Sequence, residues 1–513
     1  MQNETYDYVV VGGGAAGCVV ANRLVTQTNA KVLLIEAGIN DKIEAVENTS
    51  INSMISLWGS QHDWKFETEP QSGLNGRKIS IAQGKILGGG TSINAMMYIR
   101  GNKRDFDSWA ENGCPDWAYD KILPFFKKTE KYESGGNDYH GGDGLLNVID
   151  YENLSPVSHS FKDAAKELGY QADDFDCNAG QHENGAFFYQ STRTPENVRC
   201  NTSRAFIRPI ESNPNFTIKY STIASKVILE GSKVTGIEVL ENGELKQINV
   251  NNEVILCAGA FSSPKILMLS GIGPEETLNK FGIHVIKKLE GVGQNLQDHL
   301  LFGVAFKSKV NFDTPNLLSE AGLFTYTKET TQNQSPDLQF FFGPIQFVEP
   351  QYRIDAPAFT FAPILAQPES RGYVTLKSSD PLDNAIVNPN YLSVQADVDV
   401  LVAGIELARK FAHSDAMSKF YEMEIAPGKD AHTKAQLEEY VRNVASTVWH
   451  PVGTCKMGID DMSVVNQDLS VIGIEGLRVA DASVMPTITS GNTNAAAIMI
   501  GEKAADYILN KNK

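Results

Sequence analysis

Two stretches of the chain carry residue types whose spacing could do chemistry on a bound nucleotide. The first is Gly12-x-Gly14-x-x-Gly17, followed nineteen residues after Gly17 by Glu36. Gly12 permits a tight turn, Gly14 lets the backbone approach a pyrophosphate, and Gly17 lets a helix pack against a strand. The free N–H groups of Ala15 and Ala16, opening that helix, would face the phosphates. Glu36 would accept hydrogen bonds from an adenosine ribose and would repel a 2′-phosphate. The motif by itself does not separate NAD from FAD. The second stretch runs from Gly84 through Gly88, Gly89, Gly90, Thr91 and Asn94 to Gly101. It is too glycine-dense for a core element, and successive glycines let backbone amides press against a flat ring or a phosphate.

The elements around these residues read as a frame for them. Tyr8–Val11 is an apolar β-branched run suited to a strand buried on both faces. A helix over Cys18–Thr26 and a second strand over Lys31–Ile35 complete a β–turn–α–β unit. Residues 40–80 read as irregular, 117–130 and 160–168 as helical. From Phe216 to Leu256 the pattern turns to short strands with a Gly231-Ser232 turn signal. Residues 301–385 give further strands (LFGVAF, DLQFFFG, AFTFAPIL, GYVTLKS), 392–446 read as mostly helical, and a helix over Ala495–Leu509 closes the chain. The expected class is α/β: a Rossmann-type domain assembled from 1–150, 198–300 and 446–513. An antiparallel-sheet domain over 151–197 and 301–445 is inserted into it.

Composition excludes several classes. With 513 residues, 42% hydrophobic and 21% charged, the chain is neither disordered nor fibrous. A net charge of −17 argues against nucleic acid or an anionic membrane surface as partner. The opening MQNETYDY lacks the basic region of a secretory signal, and no apolar run is long enough to span a bilayer. Six scattered cysteines show no CxxC or other metal-ligand spacing and read as reduced thiols, so no metal and a cytoplasmic location are expected.

Four segments, in order, resemble the glucose–methanol–choline (GMC) family of FAD oxidoreductases. The first is Gly84–Asp107, and the second is Gly259-Ala260-Phe261-Ser262-Ser263-Pro264 through Gly273. The third is Trp449-His450-Pro451-Val452-Gly453-Thr454-Cys455, and the fourth is Leu477–Pro486 with Gly491–Asn494. The resemblance implies FAD, with pyrophosphate at Gly12–Gly17, ribose at Glu36 and adenine near the backbone of Val227. It places the isoalloxazine against the stretch from Gly90 and Thr91 to Asn94 and against Asn492, Thr493 and Asn494, and Ala95 and Met96 are counted with the cofactor-binding residues. Asp481 and Ala482 would approach the phosphate and ribityl end. Family members with covalent FAD carry a histidine at the position of Ile93, so the expected attachment here is non-covalent. The resemblance also makes His450 the catalytic base and Asn492 its partner, and treats Asn295–His299 as a conformational element near the domain boundary. His299 ranks as a lesser catalytic candidate.

That assignment matches what alcohol oxidation needs. A hydroxyl proton and a hydride leave the same carbon, and a histidine titrating near neutrality suits the proton. Asn492 can orient the hydroxyl without competing for that proton. For substrate contact, Trp449, Phe341 and Met97 are singled out from a wider set that includes Met96, Phe340, Phe342 and Phe347. The expected reaction is oxidation of an uncharged primary alcohol to the aldehyde, with O2, a quinone or another acceptor taking the electrons. Choline would need an aromatic cage and a carboxylate, for which Glu349 is available. The alternatives are choline oxidation and a non-redox hydroxynitrile lyase.

Overall fold

The computed structural model describes residues 4–180, 184–313, 315, 317–328 and 334–510; residues 1–3, part of the amino-terminal stretch read as lacking a leader, lie outside them. The opening unit is as expected, with the first strand and the helix longer and the second strand one residue shorter. Thr5–Val11 leads into a helix over Ala15–Gln27, then Val32–Ile35, all four of whose residues are buried. These strands sit in a seven-stranded sheet. Phe216–Lys219, Val32–Ile35, Thr5–Val11 and Glu244–Leu256 follow one another in parallel. The thirteen-residue strand Glu244–Leu256 then serves two partners along one edge. Its first half pairs antiparallel with Lys233–Glu241, and its last residues pair parallel with Leu477–Val479. The parallel part is covered on both faces, which is why its strands read as apolar runs rather than alternations.

A second, eight-stranded antiparallel sheet is ordered Tyr421–Ala426, Val304–Ser308, Ala358–Leu365, Leu338–Gly343, Ala321–Thr325, Gly185–Phe188. All eight residues of Ala358–Leu365 are buried. One face packs on the helices Pro156–Glu167 and Gln395–Ala412, where Phe161 stacks on Phe342 with centroids 4.6 Å apart. The other face looks toward the first sheet.

Three sequence readings need correction. Residues 40–80 are not wholly irregular: Glu44–Glu47 and Ile51–Leu57 are helical and Phe66–Glu67 pairs with Ser80–Ile81. The mostly helical reading of 392–446 misses Tyr421–Ala426, whose Glu, Met and Ala are ordinary helix formers that edge pairing holds extended. The strand Ala321–Thr325 was not anticipated either; all five residues are buried and show no alternation. The closing helix, Asn494–Asn510, packs along Ala15–Gln27, with Gly501 over the Ala16 backbone. All six cysteines are buried and unpaired. Among the described residues no helix is long and apolar enough to cross a membrane, and no group of three or more His, Cys, Asp or Glu side chains could hold a metal.

Candidate active site

A cavity of about 620 Å³ runs between the two sheets. At one end it is made of backbone. Gly12 has φ +100°, and a Cβ there would lie 2.5 Å from the Cys257 carbonyl oxygen. A Cβ on Gly17 would fall 2.0 Å from the Gly12 oxygen, so the helix closes onto the turn only without a side chain. Gly89 likewise meets Gly14 at 2.8 Å from its would-be Cβ, bringing the two glycine turns into contact. Gly14, Gly90 and Gly259 line the cavity, and a Cβ on each would meet nothing within 4 Å: their backbones face open space. The helix starting at Ala15 has no side-chain cap, leaving its first amides for an anion. Glu36, 5% exposed, accepts from Gly13 N at 3.0 Å and Gly38 N at 2.7 Å, and burial pushes its carboxyl up. Asp481 accepts from Gly259 N at 2.9 Å and Ser263 Oγ at 2.6 Å, tying the strand–helix turn at Gly259 to the C-terminal segment. A long uncapped cradle with bare glycine walls fits a dinucleotide such as FAD.

The sequence-derived cofactor residues divide into two groups. Gly12, Gly14, Ala15, Ala16, Glu36, Gly89, Gly90, Asn94, Ala95, Met96, Asp481, Ala482, Thr493 and Asn494 line the cavity. Gly17, Gly88, Thr91 and Val227 do not. Gly88 donates to Gly13 O, and Thr91 Oγ1 bonds Gly88 O at 2.6 Å, so both brace the turns from behind. Val227 is turned into the core, and its N–H is taken by Ser270 Oγ at 2.8 Å; Thr222, Ile223 and Ala224 of the same strand line the cavity instead.

At the far end the lining is side chains. Leu301, Leu318, Phe341, Ala362, Val448 and Trp449 give an apolar wall, with Met96 and Met97 nearby. Strand alternation sends Phe341 to the cavity and Phe340 into the opposite core against Phe361 and Phe411. Trp58, in the stretch read as irregular, packs on Trp449 at 4.6 Å and bonds Ile93 O through Nε1. Among the described residues no Asp or Glu lines this end and Glu349 is not in the lining, whereas Arg353 is.

Between the two ends lie His450 and Asn492. The segment 446–452 runs antiparallel to 297–301, with Leu300 opposite Thr447 and Gln297 opposite Val452. Asp298, 4% exposed, locks this pairing. One oxygen accepts from His450 N at 2.8 Å and His299 N at 2.9 Å; the other accepts from Tyr391 Oη and Thr447 Oγ1, both at 2.5 Å. Burial pushes its carboxyl up to about 6. Trp449 takes φ +61°, turning the chain so that Trp449 and His450 both face the cavity. Asn492 Nδ2 lies 3.4 Å from His450 Nε2, while its Oδ1 is buried without a partner. His299 is fully buried off the cavity, its Nδ1 3.0 Å from His450 Nδ1. Burial, then the neighbouring His299, holds the His450 imidazole well below the usual histidine range. Asp298 lies in the Asn295–His299 element singled out in the sequence, but its bracing by Tyr391 and Thr447 had no signal there.

Comparison with known proteins settles the family. Models of the GMC oxidoreductase family match the chain over residues 6–301 and 368–501. The chain belongs to the GMC oxidoreductases. It is 37% identical to the oxygen-dependent choline dehydrogenase of Escherichia coli (strain K12), over 98% of this chain and 95% of that protein. Among solved structures it superposes on pyridoxine 4-oxidase from Mesorbium loti with a TM-score of 0.91, at 30% identity over 98% of both chains. Formate oxidase from Aspergillus oryzae gives a TM-score of 0.88 at 26% identity, over 100% of this chain and 99% of that one. This GMC protein is therefore an FAD-dependent oxidoreductase acting on CH–OH donors.

Proposed function

We propose that the protein oxidises an uncharged primary alcohol to the aldehyde, with His450 as general base and Asn492 orienting the hydroxyl. The observation that carries this reading is the His450–Asn492 pair set at the end of an apolar chamber that no carboxylate of the described residues lines. Bound FAD would supply a hydride acceptor beside them. Segments 1–150, 198–300 and 446–513 hold the cofactor in this reading, and 151–197 with 301–445 shape the substrate chamber.

A hydroxyl oxygen against both side chains accepts from Asn492 Nδ2 and gives its proton to His450 Nε2. The alkoxide character this creates favours departure of hydride from the same carbon. The low-lying pKa of His450 supports the role, because the imidazole is then neutral and ready to accept a proton across the neutral range. The second reading, choline oxidation, is favoured by the 37% identity to a choline dehydrogenase. A quaternary ammonium gains from aromatic faces and a nearby carboxylate. The chamber offers Phe341 and Trp449 but Arg353 in place of an acid, which favours the uncharged alcohol.

The cofactor is held non-covalently in this reading, since Ile93 offers no nucleophile. Acid precipitation is expected to leave all flavin in the supernatant; yellow colour in the pellet would contradict it. Anaerobic mixing with aryl and alkyl primary alcohols is expected to bleach the flavin, and choline to do so poorly. Admitting air then distinguishes O2 from a quinone or other acceptor by the speed of recolouring. Cleavage of a hydroxynitrile without bleaching would instead identify a lyase.

A further inference from the structure

The protonation pattern around His450 is written in the geometry behind it. The Ala366 carbonyl oxygen lies 3.1 Å from His299 Nε2. A backbone carbonyl only accepts, so His299 must carry its proton on Nε2. Its Nδ1 is then a bare lone pair, 3.0 Å from His450 Nδ1. One proton must lie between those two nitrogens, and only His450 can supply it. His450 is thereby left with a bare Nε2, on the side where Asn492 Nδ2 lies at 3.4 Å. The reverse assignment would set two lone pairs against each other between His299 and Ala366 in a fully buried site.

We propose that His299 is a positioning residue that takes its tautomer from the Ala366 carbonyl and imposes the Nδ1–H tautomer on His450, baring Nε2 toward the cavity. This rests on the reading of His450 as the base. Two supports are independent of the chain of contacts. Burial lowers the His299 imidazole to about 4, so it stays neutral and keeps a lone pair for its neighbour. Asp298 binds the backbone N–H of both histidines, holding the rings in register while staying off their nitrogens. A neutral orienter has a further consequence. The more usual carboxylate partner would stabilise an imidazolium and raise the base's affinity for its first proton. An imidazole fixes the tautomer without that penalty, which suits a base that must enter each turnover unprotonated.

The test uses the FAD-loaded protein labelled with 15N histidine, at neutral pH and without substrate. His450 is expected to show a protonated Nδ1 and a bare Nε2, and His299 the opposite. A protonated Nε2 on His450 would overturn the proposal. His299→Asn can place an amide oxygen near the lost Nδ1 and is expected to preserve the His450 signature and a flavin-reduction rate within a few fold. His299→Leu removes the acceptor. It is expected to move His450 toward the Nε2–H form and to slow flavin reduction about 10-fold or more, with KM changed less. A ring locked in the wrong tautomer can cost up to about 10⁴, but leucine leaves this one free to rotate. A wild-type signature in His299→Leu refutes the inference, and if that variant does not fold, the wild-type spectrum alone decides. The two readings fail separately: His450→Ala with an unchanged reduction rate removes the base assignment, whereas a wrong tautomer in an enzyme that His450→Ala inactivates removes only the role of His299.

Discussion

The two ends of the cavity are built from different materials. The end under the parallel sheet is backbone: Gly12, Gly14, Gly89 and Gly90 with the uncapped helix at Ala15. The end under the antiparallel sheet is side chain: Leu301, Phe341, Ala362, Val448 and Trp449. The turns that build the backbone end tolerate almost nothing, because a Cβ at Gly12 or Gly17 would sit 2.5 or 2.0 Å from a carbonyl oxygen. Side-chain walls can be exchanged strand by strand while the sheet stays put. Solved relatives named for pyridoxine and formate oxidation superpose on this chain with TM-scores of 0.91 and 0.88. That is the behaviour expected when one end of a cavity is fixed and the other is free to vary.

The contrast can be broken at several points. Gly17→Val should have the largest effect, giving protein with no bound flavin or none that folds, read from the ratio of flavin to protein absorbance. A yellow, stoichiometrically loaded Gly17→Val would mean that the helix need not close on the turn. His450→Ala, at the junction, should keep its flavin and lose about 10²–10⁴ in reduction rate by stopped flow. Phe341→Ala should raise KM about 10-fold, corresponding to about 1.4 kcal/mol of lost apolar contact, with flavin content unchanged. If Phe341→Ala emptied the protein of flavin instead, the division into two materials would fail.

The pH profile sharpens the same junction. Because burial disfavours the imidazolium, the neutral base persists as acid is added. kcat/KM should therefore stay level from about pH 8 down through 6.5, the ordinary histidine value, and fall only below it. A limb centred at 6.5 would place His450 in contact with bulk water. Smallest of all, Leu382→Ser at a 57% exposed site away from the cavity should shift stability by less than about 0.5 kcal/mol and leave kinetics alone.

What was legible in the sequence follows the same division. The Gly12–Glu36 unit could be read because every residue that makes it lies within one β–turn–α–β stretch. His450 and Asn492 could be named only through motifs, since nothing near either residue announces the other 42 positions away. The link from His299 to His450 spans 151 positions and the packing of Trp58 on Trp449 spans far more of the chain than any periodicity samples. Phe340 and Phe341 read alike as letters; only the pleat, fixed by pairing with Ala358–Leu365, decides which meets the cavity. For Val227 the letters did not show that its N–H is taken by Ser270 Oγ, while Thr222, Ile223 and Ala224 of the same strand line the cavity.

The order of the chain along the first sheet bears on how the protein is made. Thr5–Val11 and the phosphate turn are synthesised first, yet their neighbour Glu244–Leu256 comes some 240 residues later, and Leu477–Val479 later still. The helix Asn494–Asn510, which packs on Ala15–Gln27, is made after all of these. A nascent chain therefore displays apolar strands short of a partner until those later segments are made, a state that invites aggregation or chaperone capture. The cofactor has no finished pocket to enter until Leu477–Val479 and Asn494–Asn510 have both been made.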